Sequence, residues 1–100
     1  MGCHVMDVPF YALKLGYPIA FKASSTPVNR ESPPVASRIE YTSPARKDLP
    51  KLAMPELKFT WSDGGLLPIR PEELPDGEVM GDWSGGNLYT GTKGEIISSM

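Results

Sequence analysis

The sequence predicts an α+β domain, in which one N-terminal helix packs on an open, mostly antiparallel sheet of about five strands. Three observations lead to this fold class. One stretch alone, residues 2–16, carries apolar residues at helical spacing. Several later segments alternate between apolar and polar residues, as half-exposed strands do. Polar loops with many of the chain's 11 prolines separate them, and 100 residues suffice for a single domain, 1–100.

The predicted helix has a wide apolar stripe. Its first row follows spacings of three and four residues and consists of Val5, Val8, Ala12 and Leu15. A second apolar row lies beside it, which predicts a helix that is buried on most sides. We expect Gly16 to end the helix, because glycine readily takes the left-handed conformation of a helix C-cap.

The start of this helix is open to two interpretations, because of Pro9. Asp7 could cap a helix that begins at Val8 and Pro9, where proline is tolerated. Alternatively, the helix begins further upstream and kinks at Pro9. The second interpretation places His4, the only histidine, on the helix.

Five segments are expected to form strands: 19–24, 37–42, 57–62, 87–91 and 95–99. The third shows the alternation most clearly, with Leu57, Phe59 and Trp61 on one face. A tight turn at 92–94 makes the last two segments a hairpin. The long loops 26–34, 43–55 and 66–86 contain most of the prolines, and one helical turn is expected at 71–74.

Composition excludes several classes of function. The net charge is -2 and no basic run exceeds two residues, which argues against a nucleic-acid partner. No apolar run approaches the ~20 residues of a membrane span. No signal peptide is visible and one cysteine cannot form an internal disulfide, so the expected location is the cytoplasm.

Three apparent motifs are rejected. Residues 86–93 resemble a phosphate-binding loop, but Thr92 precedes Lys93 instead of following it, and a strand rather than a helix comes next. Cys3, His4 and Asp7 are metal-ligand types, but their spacing leaves too few for a zinc site. The acidic residues of 72–82 are interpreted as a solvated loop.

Whole phrases of the chain resemble the Gfo/Idh/MocA family of oxidoreductases, in the bacterial branch whose second domain has long proline-rich loops. The likeness covers nearly the whole chain. The phrases are Gly2-Cys3-His4-Val5-Met6-Asp7, Ala12-Leu13-Lys14-Leu15-Gly16-Tyr17-Pro18, Ala23-Ser24-Ser25-Thr26, Leu57-Lys58-Phe59-Thr60-Trp61-Ser62-Asp63-Gly64-Gly65, Arg70-Pro71-Glu72-Glu73-Leu74 and Gly91-Thr92-Lys93-Gly94.

The resemblance implies that the chain is part of a C-terminal α/β domain. The family's N-terminal Rossmann domain, which binds NAD or NADP and supplies a catalytic lysine, is absent from these residues. The family's second-domain motif is Asp-x-x-x-His, and its histidine corresponds to His4. Its role would be general acid/base on the hydroxyl of a sugar or cyclitol, for which imidazole has a suitable pKa. The motif's aspartate would immediately precede Met1. Because this aspartate, the catalytic lysine and the glycine-rich nucleotide loop are all missing from these residues, the residues alone are expected to be inactive. The sheet face would serve contacts between copies in a homo-oligomer.

Two further hypotheses do not need catalysis. The chain could be a non-catalytic structural or interaction module that uses an apolar sheet face containing Ile39, Tyr41, Phe59 and Trp61. It could also be a small sugar-binding domain with Trp61 and Trp83 at the site.

Overall fold

The computed structural model describes residues 2–48, 53–82 and 84–99. It contains one helix and five strands, which confirms the α+β class. The elements are α1 (Gly2–Leu13), β1 (Ala20–Ser25), β2 (Ser37–Ser43), β3 (Leu57–Ser62), β4 (Gly86–Thr90) and β5 (Glu95–Ser99).

The five strands form two antiparallel sheets. One has three strands in the order β1-β2-β3, and the other is the β4-β5 hairpin. A single five-stranded sheet is therefore not confirmed, because β4 pairs with β5 alone among the described strands. The chain also divides into two compact units, Met1–Ala12 with Pro68–Met100, and Leu13–Leu67.

The unit Leu13–Leu67 is built on the three-stranded sheet. Pairing between β2 and β3 sets Ile39 opposite Trp61 and Tyr41 opposite Phe59. The same register resumes after β2, where Arg46 and Met54 exchange two backbone hydrogen bonds of 2.9 and 3.0 Å. Strand β1 begins at Ala20 rather than Ile19, but the Ile19 amide still donates to the Thr42 carbonyl at 2.8 Å.

A close backbone contact follows β3 at Gly64. Its φ is +67°, and a Cβ there would lie 2.1 Å from the Val35 carbonyl oxygen. Only glycine combines this left-handed backbone with so close an approach. The turn after β3 is therefore fixed against the segment that leads into β2.

The unit Met1–Ala12 with Pro68–Met100 holds most of the helix and the hairpin. Val5 is 6% exposed and is one of two buried hydrophobic residues among the described positions. A Cβ at Gly85 would lie 3.1 Å from Val5 Cγ2, so the helix packs closely on the backbone that enters β4. The Gly91 amide donates to the Gly94 carbonyl at 2.9 Å and closes the predicted hairpin turn.

The end of α1 differs from the expectation. The helix ends at Leu13, and Lys14 takes the left-handed conformation with φ 49°, a role the sequence analysis gave to Gly16. The Arg46 guanidinium donates to the carbonyl oxygens of Leu13 and Lys14. This contact satisfies carbonyls that a helix end leaves without partners, and it comes from a residue far along the chain.

In the described ranges, no helix has the length and hydropathy needed to cross a membrane.

The predicted turn at 71–74 is present, with the Leu74 amide donating to the Pro71 carbonyl at 3.2 Å. Arg70 stabilises the loop that contains this turn, because its guanidinium donates to the carbonyl oxygens of Pro75 and Glu78 at 2.5 and 2.6 Å.

Candidate functional site

The helix that carries His4 contains a proline in its interior. It begins at Gly2, so the upstream start is confirmed and the Asp7-capped start is wrong. Pro9 has no amide hydrogen, so the Val5 carbonyl lacks the donor that position 9 of a helix normally provides. Asn87 of β4 supplies a donor instead, since its Nδ2 donates to the Val5 oxygen at 3.2 Å. A side chain from the other end of the chain thus keeps the helix continuous through Pro9, and with it the placement of His4.

His4 lies in the first turn of α1 with an exposed side chain. Its Nδ1 is 3.7 Å from the Sγ of Cys3, which is also exposed. Asp7 lies one turn further along the helix and is exposed too, but no ion pair or hydrogen bond joins it to His4 within the described residues. The imidazole is therefore accessible for proton transfer to a bound molecule.

Among the described residues, the structure brings no catalytic set together around His4. No lysine or carboxylate among the described residues forms a hydrogen bond or ion pair with it. Nor do the described ranges contain a group of three or more His, Cys, Asp or Glu side chains that could hold a metal ion.

A second candidate site is the apolar face of the three-stranded sheet, which we call the sheet face. Its members are the alternate residues that share one side of the strands: Phe21, Ala23, Ile39, Tyr41, Leu57, Phe59 and Trp61. Two rows cross all three strands. In the first row Phe21, Tyr41 and Phe59 lie opposite one another. In the second row Ala23, Ile39 and Trp61 lie opposite one another. Tyr41 and Phe59 have ring centroids 6.2 Å apart and tilted by 57°, a favourable arrangement for an aromatic pair.

The sheet face is left largely uncovered by the part of the chain that the structure describes. Phe21 is 74% exposed, and the side chains of the other two strands on this face are only half-buried. Among the described residues, no large side chain of either unit is fully buried. Apolar side chains that line up on one surface in this way are typical of a face that another surface covers.

The opposite face of the same sheet is polar. Lys58 and Glu40 form an ion pair of 3.4 Å there, and both side chains are largely exposed. Such a pair contributes little to stability in water. The alternation predicted for these strands therefore holds in three dimensions, with one solvated and one apolar face.

Trp61 is oriented by a hydrogen bond at the edge of the sheet face. Its Nε1 donates to Asp63 Oδ2 at 3.0 Å, and Asp63 Oδ1 accepts from the Ser37 amide and hydroxyl at 2.6 and 2.9 Å. These hydrogen bonds, that from Trp61 first, hold the pKa of the Asp63 carboxyl below its usual value. Trp83, the other member of the hypothetical sugar site, lies outside the described residues.

A shallow depression of about 340 Å³ lies in the unit Leu13–Leu67. Its lining is mainly apolar and includes Tyr17, Pro44 and Met54, with Arg46 at one side. The Arg46 guanidinium already donates to two backbone carbonyls, as described above. We assign the depression to the packing of this segment rather than to a ligand.

The remaining predicted features have structural roles. Residues 86–93 belong to the β4-β5 hairpin, so the hairpin expected there is confirmed. The acidic residues of 72–82 are exposed, and Asp82 Oδ1 accepts a hydrogen bond from the Ser84 amide at 2.8 Å. Bonds from Ser84 hold the pKa of the Asp82 carboxyl below its usual value.

Sequence reasoning missed Phe21 as a member of the sheet face, although it placed Phe21 in a strand. Its alternation with Lys22 was visible, but only the pairing of β1 with β2 aligns it with Tyr41. It also missed Asn87, whose role depends on a carbonyl 82 residues away. The available signal was Pro9 itself, since an interior proline requires a replacement donor for the residue four positions before it.

Comparison with known proteins found no family model that matches the chain and no significant match to a curated protein.

Proposed function

We propose that this chain is part of an NAD- or NADP-dependent oxidoreductase of the Gfo/Idh/MocA type, in which it supplies a sheet scaffold and an acid/base histidine. The observation that carries the scaffold part of the proposal is the exposed sheet face, whose aligned apolar side chains are typical of a covered surface. The resemblance described above supplies the chemical part. Within the proposal the nucleotide is bound by a separate Rossmann domain, the substrate is a sugar or cyclitol, and the location is the cytoplasm.

The sheet face is proposed to bind the same face of another copy. Burying a side chain such as Phe21 contributes about 1.5–3 kcal/mol relative to leaving it in water, so several such residues can hold two copies together. In the complete domain we further propose that the strands join in one open sheet.

The sheet-face contact is tested by the substitution Phe21→Lys. Because Phe21 is 74% exposed, its replacement costs the isolated fold little, but it places a charge in the proposed interface. We expect sedimentation velocity to show concentration-dependent association of the unmodified chain and at least a tenfold weaker association of the variant. Thr60→Lys adds the same charge to the polar face and is the matched control. Equal behaviour of the two variants would contradict the contact.

His4 is proposed as the group that takes the hydroxyl proton when hydride leaves the same carbon of the substrate. Its exposure on a continuous helix supports this role, because general acid/base catalysis requires a histidine that substrate can reach. A neutral imidazole accepts the proton and releases it to water after the product leaves.

In the intact oxidoreductase, His4→Asn should lower kcat at least about 100-fold, the usual contribution of a general base. Reduced nicotinamide formation would be followed with sugar and cyclitol substrates. Cofactor affinity should remain unchanged. Tyr11→Phe, at a position that is 84% exposed about two turns further along the same helix, is the control and should retain full activity. A kcat of His4→Asn within threefold of the unmodified enzyme would remove His4 from the mechanism.

The alternative function is a non-catalytic interaction module that uses the same sheet face. It is favoured by the absence, among the described residues, of any catalytic partner for His4. The two functions differ in the His4→Asn result and agree in the Phe21→Lys result.

A further inference from the structure

Strand β1 forms an outer edge of the three-stranded sheet. Its six residues are all exposed, and none of them is proline. Within the described residues it pairs with β2 alone. The other side of β1 therefore presents backbone amide and carbonyl groups that are available to another strand.

The register identifies which residues of β1 face this free edge. The Thr26 amide donates to the Ala36 carbonyl at 3.0 Å, and this pair continues the register in which Ser24 lies opposite Arg38. Hydrogen-bonded and non-hydrogen-bonded pairs alternate along an antiparallel ladder. Lys22 and Ser24 therefore bond to β2, whereas Phe21, Ala23 and Ser25 direct their backbone groups outward.

We infer that the free edge of β1 pairs with β1 of a second copy, antiparallel and with Ala23 opposite Ala23. In this register each residue whose backbone groups point to the free edge lies opposite another such residue. Ala23 lies opposite Ala23, and Phe21 lies opposite Ser25 of the second copy. The three pairs provide about six hydrogen bonds. Opposite residues share a face, so the sheet faces of the two copies become one continuous apolar surface.

A neighbouring register is disfavoured by both hydrogen bonds and charge. Pairing centred on Lys22 also places the apolar faces of the two copies on the same side, but it provides only about four hydrogen bonds. It also sets two lysines directly opposite each other, which is destabilising. With Ala23 at the centre, Lys22 lies opposite Ser24 of the second copy instead.

The other outer strand, β3, is the less suitable edge. Its residues Phe59, Trp61 and Ser62 are half-buried, and Lys58 is held by Glu40. Pairing through β1 extends over only ~20 Å of strand and so buries less than the ~800 Å² per partner of a stable complex. The edge dimer is therefore weak, and it is separate from the proposed contact between sheet faces.

The register is tested by placing charge at Ser24. Opposite Lys22 of the second copy, Ser24→Glu creates two symmetric ion pairs and Ser24→Lys two repulsive pairs. We expect sedimentation equilibrium at low salt, from about 10 μM to about 1 mM, to show about threefold to tenfold tighter association with glutamate and a comparable weakening with lysine. Thr60→Glu and Thr60→Lys, on the same face of β3, should leave the association unchanged.

A second substitution tests the backbone pairing itself. Ala23→Pro removes an outward amide without removing a donor to β2, so the sheet should persist by circular dichroism while edge association is lost. Should this variant unfold, the Ser24 pair decides the question alone. Because Ser24 also lies opposite Arg38 of its own β2, the association constants are compared after correction for the folded fraction of each variant, measured by urea unfolding. Opposite effects of Ser24→Glu and Ser24→Lys would then support the dimer. Identical effects, a response of the Thr60 variants instead, or a monomer at every concentration would overturn it.

The two modes of association remain distinguishable. Phe21→Lys weakens contact between sheet faces, but at the β1 edge it lies opposite an uncharged serine and leaves pairing intact. Ser24 lies on the polar face and does not alter the sheet-face contact.

Discussion

At the scale of single residues, Asp63 connects two strand ends. Its carboxylate accepts hydrogen bonds from Trp61 and from the amide and hydroxyl of Ser37. These bonds stabilise the charged form and lower the pKa of Asp63 in the folded chain relative to the unfolded chain. The stabilisation is therefore complete above the unfolded-state pKa of about 3.9 and is lost as the pH falls through the lower folded-state pKa.

Asp63→Asn should remove this pH dependence. We expect the free energy of unfolding of the unmodified chain to fall more steeply than that of the variant as the pH drops from about 5 towards 2. At pH 7 the variant should be about 1 kcal/mol less stable, allowing for solvent screening of a partly exposed group. Urea titrations at several pH values measure both quantities, with Asp76→Asn in the exposed loop as control. Parallel pH profiles for the unmodified chain and Asp63→Asn would contradict the role of Asp63.

Lys14 shows that the residue that ends a helix cannot always be predicted from the neighbouring sequence. Gly16 was the natural candidate for the left-handed residue that ends α1, yet Lys14 adopts that conformation. The reason lies outside the local sequence, in the bonds from Arg46 to the carbonyls of Leu13 and Lys14. Contacts between residues more than 30 positions apart leave no periodic pattern to detect.

At the scale of elements, α1 depends on a donor from β4. The Val5 carbonyl loses its helical partner because of Pro9, and Asn87 replaces it. Asn87→Leu should therefore cost about 1–2 kcal/mol of unfolding free energy, since it leaves a buried residue's carbonyl unsatisfied. In a Pro9→Ala background the helix supplies its own amide, and the same substitution should cost about 1 kcal/mol less.

This coupling is measured by a double-mutant cycle of the two single variants, the double variant and the unmodified chain, using urea unfolding. Strictly additive costs would show that Asn87 does not replace the missing amide. Helix content by circular dichroism provides the check that each variant retains α1.

Strands were more predictable than the helix boundaries, because alternation in sequence maps directly onto the two faces of a sheet. The segment 57–62 appears unchanged as β3, and 95–99 as β5. Their grouping into sheets was not predictable in the same way. Whether β4 joins β3 or pairs only with β5 depends on the course of residues 63–85, which have no periodic pattern.

At the scale of the whole molecule, the main property is incomplete burial of apolar side chains. Within the described residues the buried hydrophobic positions are Val5 and Ala36, beside the buried Pro9, while Phe21 and Ile69 are largely exposed. A chain of this size is expected to bury roughly 60% or more of its unfolded surface if it folds alone. Composition near the globular average could not reveal this, because it counts apolar residues without showing what covers them.

The two candidate sites also differ in how far the sequence could predict them. The proposed resemblance to Gfo/Idh/MocA proteins points to His4, and the structure shows it exposed on a helix without a catalytic partner among the described residues. The sheet face was anticipated through four of its members, and pairing added Phe21.

The most direct measurement is the DNA sequence upstream of the Met1 codon, read in the same frame. Our account predicts an open frame, an aspartate codon immediately before Met1 to complete Asp-x-x-x-His with His4, and a glycine-rich nucleotide-binding loop further upstream. A stop codon close to Met1, or an open frame that encodes neither feature, would contradict the oxidoreductase proposal and favour the interaction module.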